Sequence, residues 1–322
     1  MPAAYQQPSS IIEPGTADLE ALVHRHFAHW LASHSPDQNV SALAPPELSD
    51  SLVFHGGARV LMSTAWESYP GQLAANRILS APENTEAEAV IQGHQLTHII
   101  LPSWDKVLPL FVQKPAETGK DTLYDRLQRW VYPPFLRPIP YRLPPIPLFA
   151  AEKLAVFKVT PPQDEAHSLS RLAEYFVEME RNEPAVFAAQ VLESSYPNDP
   201  NAAIARATVY AHVKNQPQFE RELARLVADT TSGKFALSWE RRTQRAIVLA
   251  LGRQPDLARK EIEACIAEAS KDDLFELTSL QAYRLQVLAQ RFQVSFADAA
   301  LSDLLAALGA EYSSAEPNAS AR

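Results

Sequence analysis

The chain has 322 residues, 46% of them hydrophobic and 21% charged, with 29 basic against 38 acidic side chains and a formal net charge of -9. This fits about two globular domains. With no long run of lysine and arginine to offset it, the acidic balance repels phosphate backbones and anionic lipid heads, so no nucleic-acid partner is expected. The single cysteine, Cys265, excludes an intrachain disulfide and any zinc site built on two or more cysteines.

Residues 1–15 are polar and proline-containing and are expected to be disordered. Thr16 then reads as an N-cap, with Asp18 and Glu20 in the first turn, where the helix dipole favours acids. Leu19, Leu22, Val23, Phe27, Trp30 and Leu31 continue at helical spacing to about Ser33.

An α/β domain is predicted over 16–162. Four short apolar runs read as strands: Val40–Ala44, Arg59–Ser63, Thr97–Leu101 and Ala155–Val159. Between them Gly71–Leu79, Thr85–Gln92 and Leu123–Val131 read as helices. Strand–helix alternation implies a Rossmann-like, mostly parallel sheet covered on both faces. Pro133–Pro147 carries seven prolines, which rule out a helix or a central strand. The segment reads as an extended strap across the domain surface, or alternatively as a polyproline ligand for an aromatic groove. Phe135, Leu136, Ile139, Leu143 and Ile146 favour the strap.

Residues 163–310 are predicted to be all helical, in eight segments broken near Asn182, Asn198, Asn215, Ser232, Gly252, Lys271 and Gln293, and 311–322 to be a disordered tail. Asn182-Glu183-Pro184, Asn215-Gln216-Pro217 and Arg253-Gln254-Pro255 share one form, with proline opening a helix. Their intervals of 33 and 38 residues lie near the tetratricopeptide period of about 34. Ala188, Leu192, Ser195 and Pro200 fall at that repeat's small, large, small and proline positions. A degenerate tetratricopeptide-like array is expected, with an ordinary helical bundle as the alternative. The two halves are expected to fold separately and to meet near Pro161-Pro162.

Chemistry-bearing patterns are sparse. His24, His26, His29 and His34 cluster on and after the first helix, yet no H-E-x-x-H pattern turns them into a metal site, and packing or surface roles explain them. His55-Gly56-Gly57 resembles a lipase oxyanion loop but has no G-x-S-x-G partner; a tight turn before Arg59 explains its glycines. Neither a phosphate-binding loop nor a dinucleotide fingerprint is present, so no cofactor and no metal are expected. Trp66-Glu67 and Trp104-Asp105 each follow a predicted strand, where open α/β sheets bind ligands. With Tyr69 they form the candidate ligand site, for a ring packs on sugar C–H faces while a carboxylate accepts hydroxyl protons. The alternative is that the rings pack and the acids cap the following helices.

From Trp30 to about Glu178 the order W-L-A-S-H, then A-P-P-E-L-S-D-S-L-V-F-H-G-G-A-R-V-L-M-S-T-A-W-E-S-Y-P-G, T-H-I-I-L-P-S-W-D, R-P-I-P-Y-R-L-P-P-I and A-E-Y-F-V-E-M resembles the C-terminal soluble region of bacterial GT-C-type membrane glycosyltransferases. The resemblance covers roughly half the chain. It implies an α/β domain on the periplasmic side of the inner membrane, followed by helical repeats, in enzymes that use a lipid-linked sugar. Their catalytic carboxylates lie between membrane helices, so no catalytic residue carries over. No stretch here approaches the ~20 apolar residues of a membrane span, and Met1–Pro14 has no signal-peptide pattern. The membrane part is therefore expected outside this sequence.

The leading expectation is a non-catalytic module of a membrane glycosyltransferase-like protein that binds a glycan, a lipid-linked glycan, an acceptor or, through the helical repeats, a protein partner. A free-standing, cytoplasmic tetratricopeptide-like adaptor is the alternative. A third reading is an α/β enzyme using Glu67 or Asp105.

Overall fold

The computed structural model describes residues 15–35, 39–113, 120–233 and 235–315. The expected disordered ends fall mostly outside these residues. Helix α15 (Ala299–Ala315) nevertheless continues through the start of the expected tail.

Five strands, β1 (Ser41–Leu43), β2 (Arg59–Val60), β3 (His98–Pro102), β4 (Leu136–Ile139) and β5 (Leu154–Val159), form one sheet in the order β2-β1-β3-β5-β4. β1 is parallel to β2 and β3, whereas β5 is antiparallel to β3 and to β4. The sheet is thus mixed, not mostly parallel as expected. The physical reason is the strap, which carries the unpredicted strand β4 and then turns back into β5. Pro138 is tolerated in β4 because an edge strand can lack an N–H donor.

Alternate residues of the strands feed two cores. Leu43, Ile99, Leu101 and Phe157 face α3 (Tyr69–Ser80), α4 (Asn84–Gly93), α5 (Leu108–Phe111) and α6 (Leu123–Gln128). Ala42, Ala44, Ile100 and Val156 face α1 (Thr16–Ser33) and α2 (Pro46–Gly56). Each large apolar side chain buried there contributes roughly 1.5–3 kcal/mol. Helix α2 was not predicted, although Pro46 at its first turn, Leu48 and Leu52 one turn apart, and Gly57 at φ 64 mark its start, stripe and end. Gly71 lets α3 lie directly on the Leu61 carbonyl, a place where any Cβ would collide.

The rest of the chain is helical. Helices α7 (Glu165–Glu178), α9 (Pro200–His212), α11 (Trp239–Leu251) and α14 (Ser279–Phe292) pack side by side. Each is backed by the next long helix: α8 (Asn182–Ser195), α10 (Gln216–Ser232), α12 (Pro255–Glu268) and α15, with the short α13 (Lys271–Phe275) before α14. The inner helices α9 and α11 are buried almost throughout, which explains the alanine-rich run Ala202–Ala207. Three of the predicted breaks are built alike: Glu180, Lys214 and Arg253 adopt φ near +57, and the next residue's N–H reaches back five residues, as Arg181 does to Phe176. Gln293 repeats the turn a fourth time, giving intervals of 34, 39 and 40 residues.

Candidate functional site

The connection after β1 runs into α2 on one face of the sheet, while the chain after β3 runs into α5 and α6 on the other. Between the carboxyl ends of these neighbouring strands lies the topological switch point, the usual ligand crevice of an open α/β sheet. A crevice of about 30 Å³ opens there, lined by Glu20 and His24 of α1, Pro45 to Leu48 at the start of α2, and Pro102, Trp104, Asp105 and Val107 after β3. Its enclosed part has room for about two water molecules.

Trp104 and Asp105 therefore line a crevice at the strand ends. The indole N–H of Trp104 donates to Glu20 Oε1 at 3.0 Å, and its ring stacks on His24 at 6.4 Å and meets the Phe149 edge at 5.0 Å. Asp105 accepts the backbone N–H groups of Val107 at 3.1 Å and Leu108 at 2.8 Å, capping α5. Burial pushes His24 below the ordinary imidazole range against the opposing pull of Glu47 and Asp105, so it is neutral at pH 7. Its Nε2 stands 3.7 Å from Glu20 Oε1, beyond hydrogen-bond reach.

The other predicted site residues are not brought into this crevice. The backbone of Trp66 opens a 3-10 turn, Trp66–Ser68, and its side chain lies outside the described residues. Glu67 is exposed, and Tyr69 begins α3, 61% exposed. Helix α3 packs on the face opposite α1 and α2, so the chain after β2 leads away from Trp104. Among the described residues no hydrogen bond, ion pair or ring contact joins Glu67 or Tyr69 to Trp104 or Asp105.

A second polar feature joins the two halves, and the sequence reading did not find it. Arg137 of β4, almost fully buried, reaches Glu240 at 3.2 Å and Glu276 at 2.6 Å. Lys158 of β5 reaches the same Glu276 at 2.7 Å, Arg171 of α7 pairs with Glu240, and Arg241 of α11 pairs with Glu174 at 2.7 Å. Arg137, Arg171 and Arg241 hold Glu240 far below the usual carboxylate range despite its burial. Burial instead pushes Glu178 up to about 7, although Thr278 donates to it at 2.6 Å. Trp130 adds an apolar wedge, in ring contact with Phe157 on one side and with Tyr175 and Phe176 on the other.

Elsewhere, His26 bonds Tyr141 Oη at 2.8 Å, His29 lies against His55, and His34 approaches Ser279 of α14 at 3.3 Å. Among the described residues no three His, Cys, Asp or Glu side chains are grouped to hold a metal, and no helix is long and apolar enough to cross a membrane. An open groove of about 590 Å³ lies on the helical half beside Val186, Phe187, His212 and Lys214, with Phe187 68% exposed. Comparison with protein-family models, curated proteins and solved structures finds no match to this chain.

Proposed function

We propose that this chain is a non-catalytic binding module of a membrane glycosyltransferase-like protein, with a glycan-type ligand crevice at Trp104 and a tetratricopeptide-like helical half that engages a protein partner. The observation that carries this reading is how the crevice is used. Asp105 spends its carboxylate on capping α5 and Glu20 holds the Trp104 indole, yet a solvent-sized space remains between them. With Asp105 held by the α5 backbone and Glu20 by the Trp104 indole, these two acids suit holding a ligand more than proton transfer. The resemblance of residues 30–178 supports an extracytoplasmic location beside a membrane part that lies outside this sequence.

Helical-hairpin arrays usually bind partners on their inner face. Here Arg137, Pro138 and Pro140 of the strap lie against Arg171, Glu174, Glu178, Glu240 and Gln281 on that face. The partner surface therefore falls on the groove beside Phe187. This groove is also what a free-standing adaptor would use.

Titrating a neutral oligosaccharide against tryptophan fluorescence, with Trp104→Phe as control, tests the reading, alongside a search for released reducing sugar. A saturable change lost in Trp104→Phe, with no hydrolysis, is expected. Turnover abolished by Asp105→Asn would replace the binding module with an enzyme.

A further inference from the structure

We propose that the groove beside Phe187 takes a second copy of this chain, in a two-fold dimer that seats Phe187 of each copy in the groove of the other and pairs Glu183 of each with Lys214 of the other; this rests on the reading of that groove as the protein-partner surface. A two-fold interface uses the same patch on both copies. The patch must therefore carry both a projection and a hollow to receive it, and both signs of any charge it pairs.

This patch carries all of them. Residues 183, 186, 187 and 190 recur at helical spacing and share one face of α8, the first wall of the groove. The second wall is the end of α9 and the turn after it, His212 to Lys214. A hydrogen bond of 3.0 Å between Asn182 and His212 joins the two walls. The hollow measures about 590 Å³. Phe187 lines it 68% exposed, while Val186 and Val213 are half-buried. A ring left so far in water is a cost that burial in a partly apolar hollow removes.

The charges supply the second indication. Glu183 and Lys214 stand exposed on opposite walls, and among the described residues neither side chain makes an ion pair or a hydrogen bond. Burial and the Arg284 guanidinium hold His212 below the ordinary imidazole range, so it adds no charge at pH 7. The patch is thus one acid and one base, in a chain whose net charge of -9 otherwise repels its own copies. Two-fold symmetry sets Glu183 against Lys214 twice. An unrelated apolar peptide would be served by the hollow alone. The exposed ring on the same face calls for a matching hollow in the partner, and a second copy supplies one.

The test is sedimentation equilibrium of the full chain from about 1 to 500 µM. Reversible dimerisation is expected in this range, weakened at least about a hundredfold by Phe187→Ala, since symmetry removes two rings at once. Phe187 is exposed, so this variant keeps the fold, which unchanged thermal unfolding checks. Glu183→Lys and Lys214→Glu should each weaken self-association roughly tenfold by setting like charges opposite each other. An equimolar mixture of these two variants should recover wild-type affinity, because both pairs re-form between unlike chains, whereas damage within either chain could not be repaired from outside. A mixture that fails to recover, or a dimer indifferent to Phe187→Ala, overturns the arrangement. A chain that stays monomeric throughout overturns the second copy as occupant. Photo-crosslinking from benzoylphenylalanine in place of Gln190, in the cells that make the protein, then decides the underlying reading: an adduct with a different polypeptide keeps a protein partner in this groove, and no adduct at all rejects both.

Discussion

Glu178 gives the molecule a pH dependence that one substitution should remove. It lies on α7 at the junction of the halves, 9% exposed, facing Thr278, the N-cap of α14, Arg284 of that helix, Glu174 of its own helix and Arg137 of the strap. Burial outweighs the Thr278 hydrogen bond and the two guanidinium groups, and the carboxyl rises from 4.5 to about 7. A carboxyl raised on folding contributes stability that is complete below the unfolded value of 4.5 and is lost as pH climbs through about 7. The difference amounts to roughly 3 kcal/mol at pH 8. Glu178→Gln keeps an acceptor for Thr278 and removes the titration. Urea unfolding at pH 5 and pH 8 should therefore show the variant gaining on the wild type by up to about 3 kcal/mol at pH 8 and little at pH 5. An identical pH 5 to pH 8 difference in both proteins would refute the burial argument.

Other substitutions probe the scaffold. Arg137→Met should cost about 3 kcal/mol by urea unfolding, the low end for breaking a buried pair, because Glu240 keeps Arg171 and Glu276 keeps Lys158. Adding Glu240→Gln should then cost less than it does in the wild type, as a double-mutant cycle will show if the two form one network. Gly71→Ala should lower stability by about 3 kcal/mol or more, since its methyl group meets the Leu61 carbonyl, which the backbone cannot easily move. Lys214→Gly should raise the melting temperature slightly, by relieving up to about 1 kcal/mol of left-handed backbone strain.

Local patterning made much of the fold legible. The helical stripe from Leu19 to Leu31, the buried runs that became β1, β3 and β5, and the prolines opening α8, α10 and α12 all report packing within a few residues of chain. Strand β4 escaped because its sequence, Leu-Arg-Pro-Ile, reads against a strand until its edge position is known. The ion network escaped for a related reason: its members are far apart in sequence, and only the fold brings them together. A trace was nevertheless present. Lys158 interrupts the apolar strand Ala-Val-Phe-Lys-Val, and Glu174 and Glu178 sit one turn apart among the buried residues of α7. Charges at positions that periodicity assigns to the core are the sequence signature of buried pairs. For the candidate site, strand-end position singled out Trp104 and Asp105, but which face each connection takes is a matter of topology, and that is what separates them from Glu67 and Tyr69.

The crevice can be observed directly through the Trp104 indole N–H, which is held by Glu20 at 3.0 Å and gives its own resonance in a nitrogen–proton correlation spectrum. Assignment by Trp104→Phe, followed by titration with a neutral oligosaccharide, reports on ligand entry at that atom. The binding-module account predicts that this resonance moves saturably while the other indole signals stay fixed. A Trp104 signal that does not move with the ligand at millimolar concentration would contradict it.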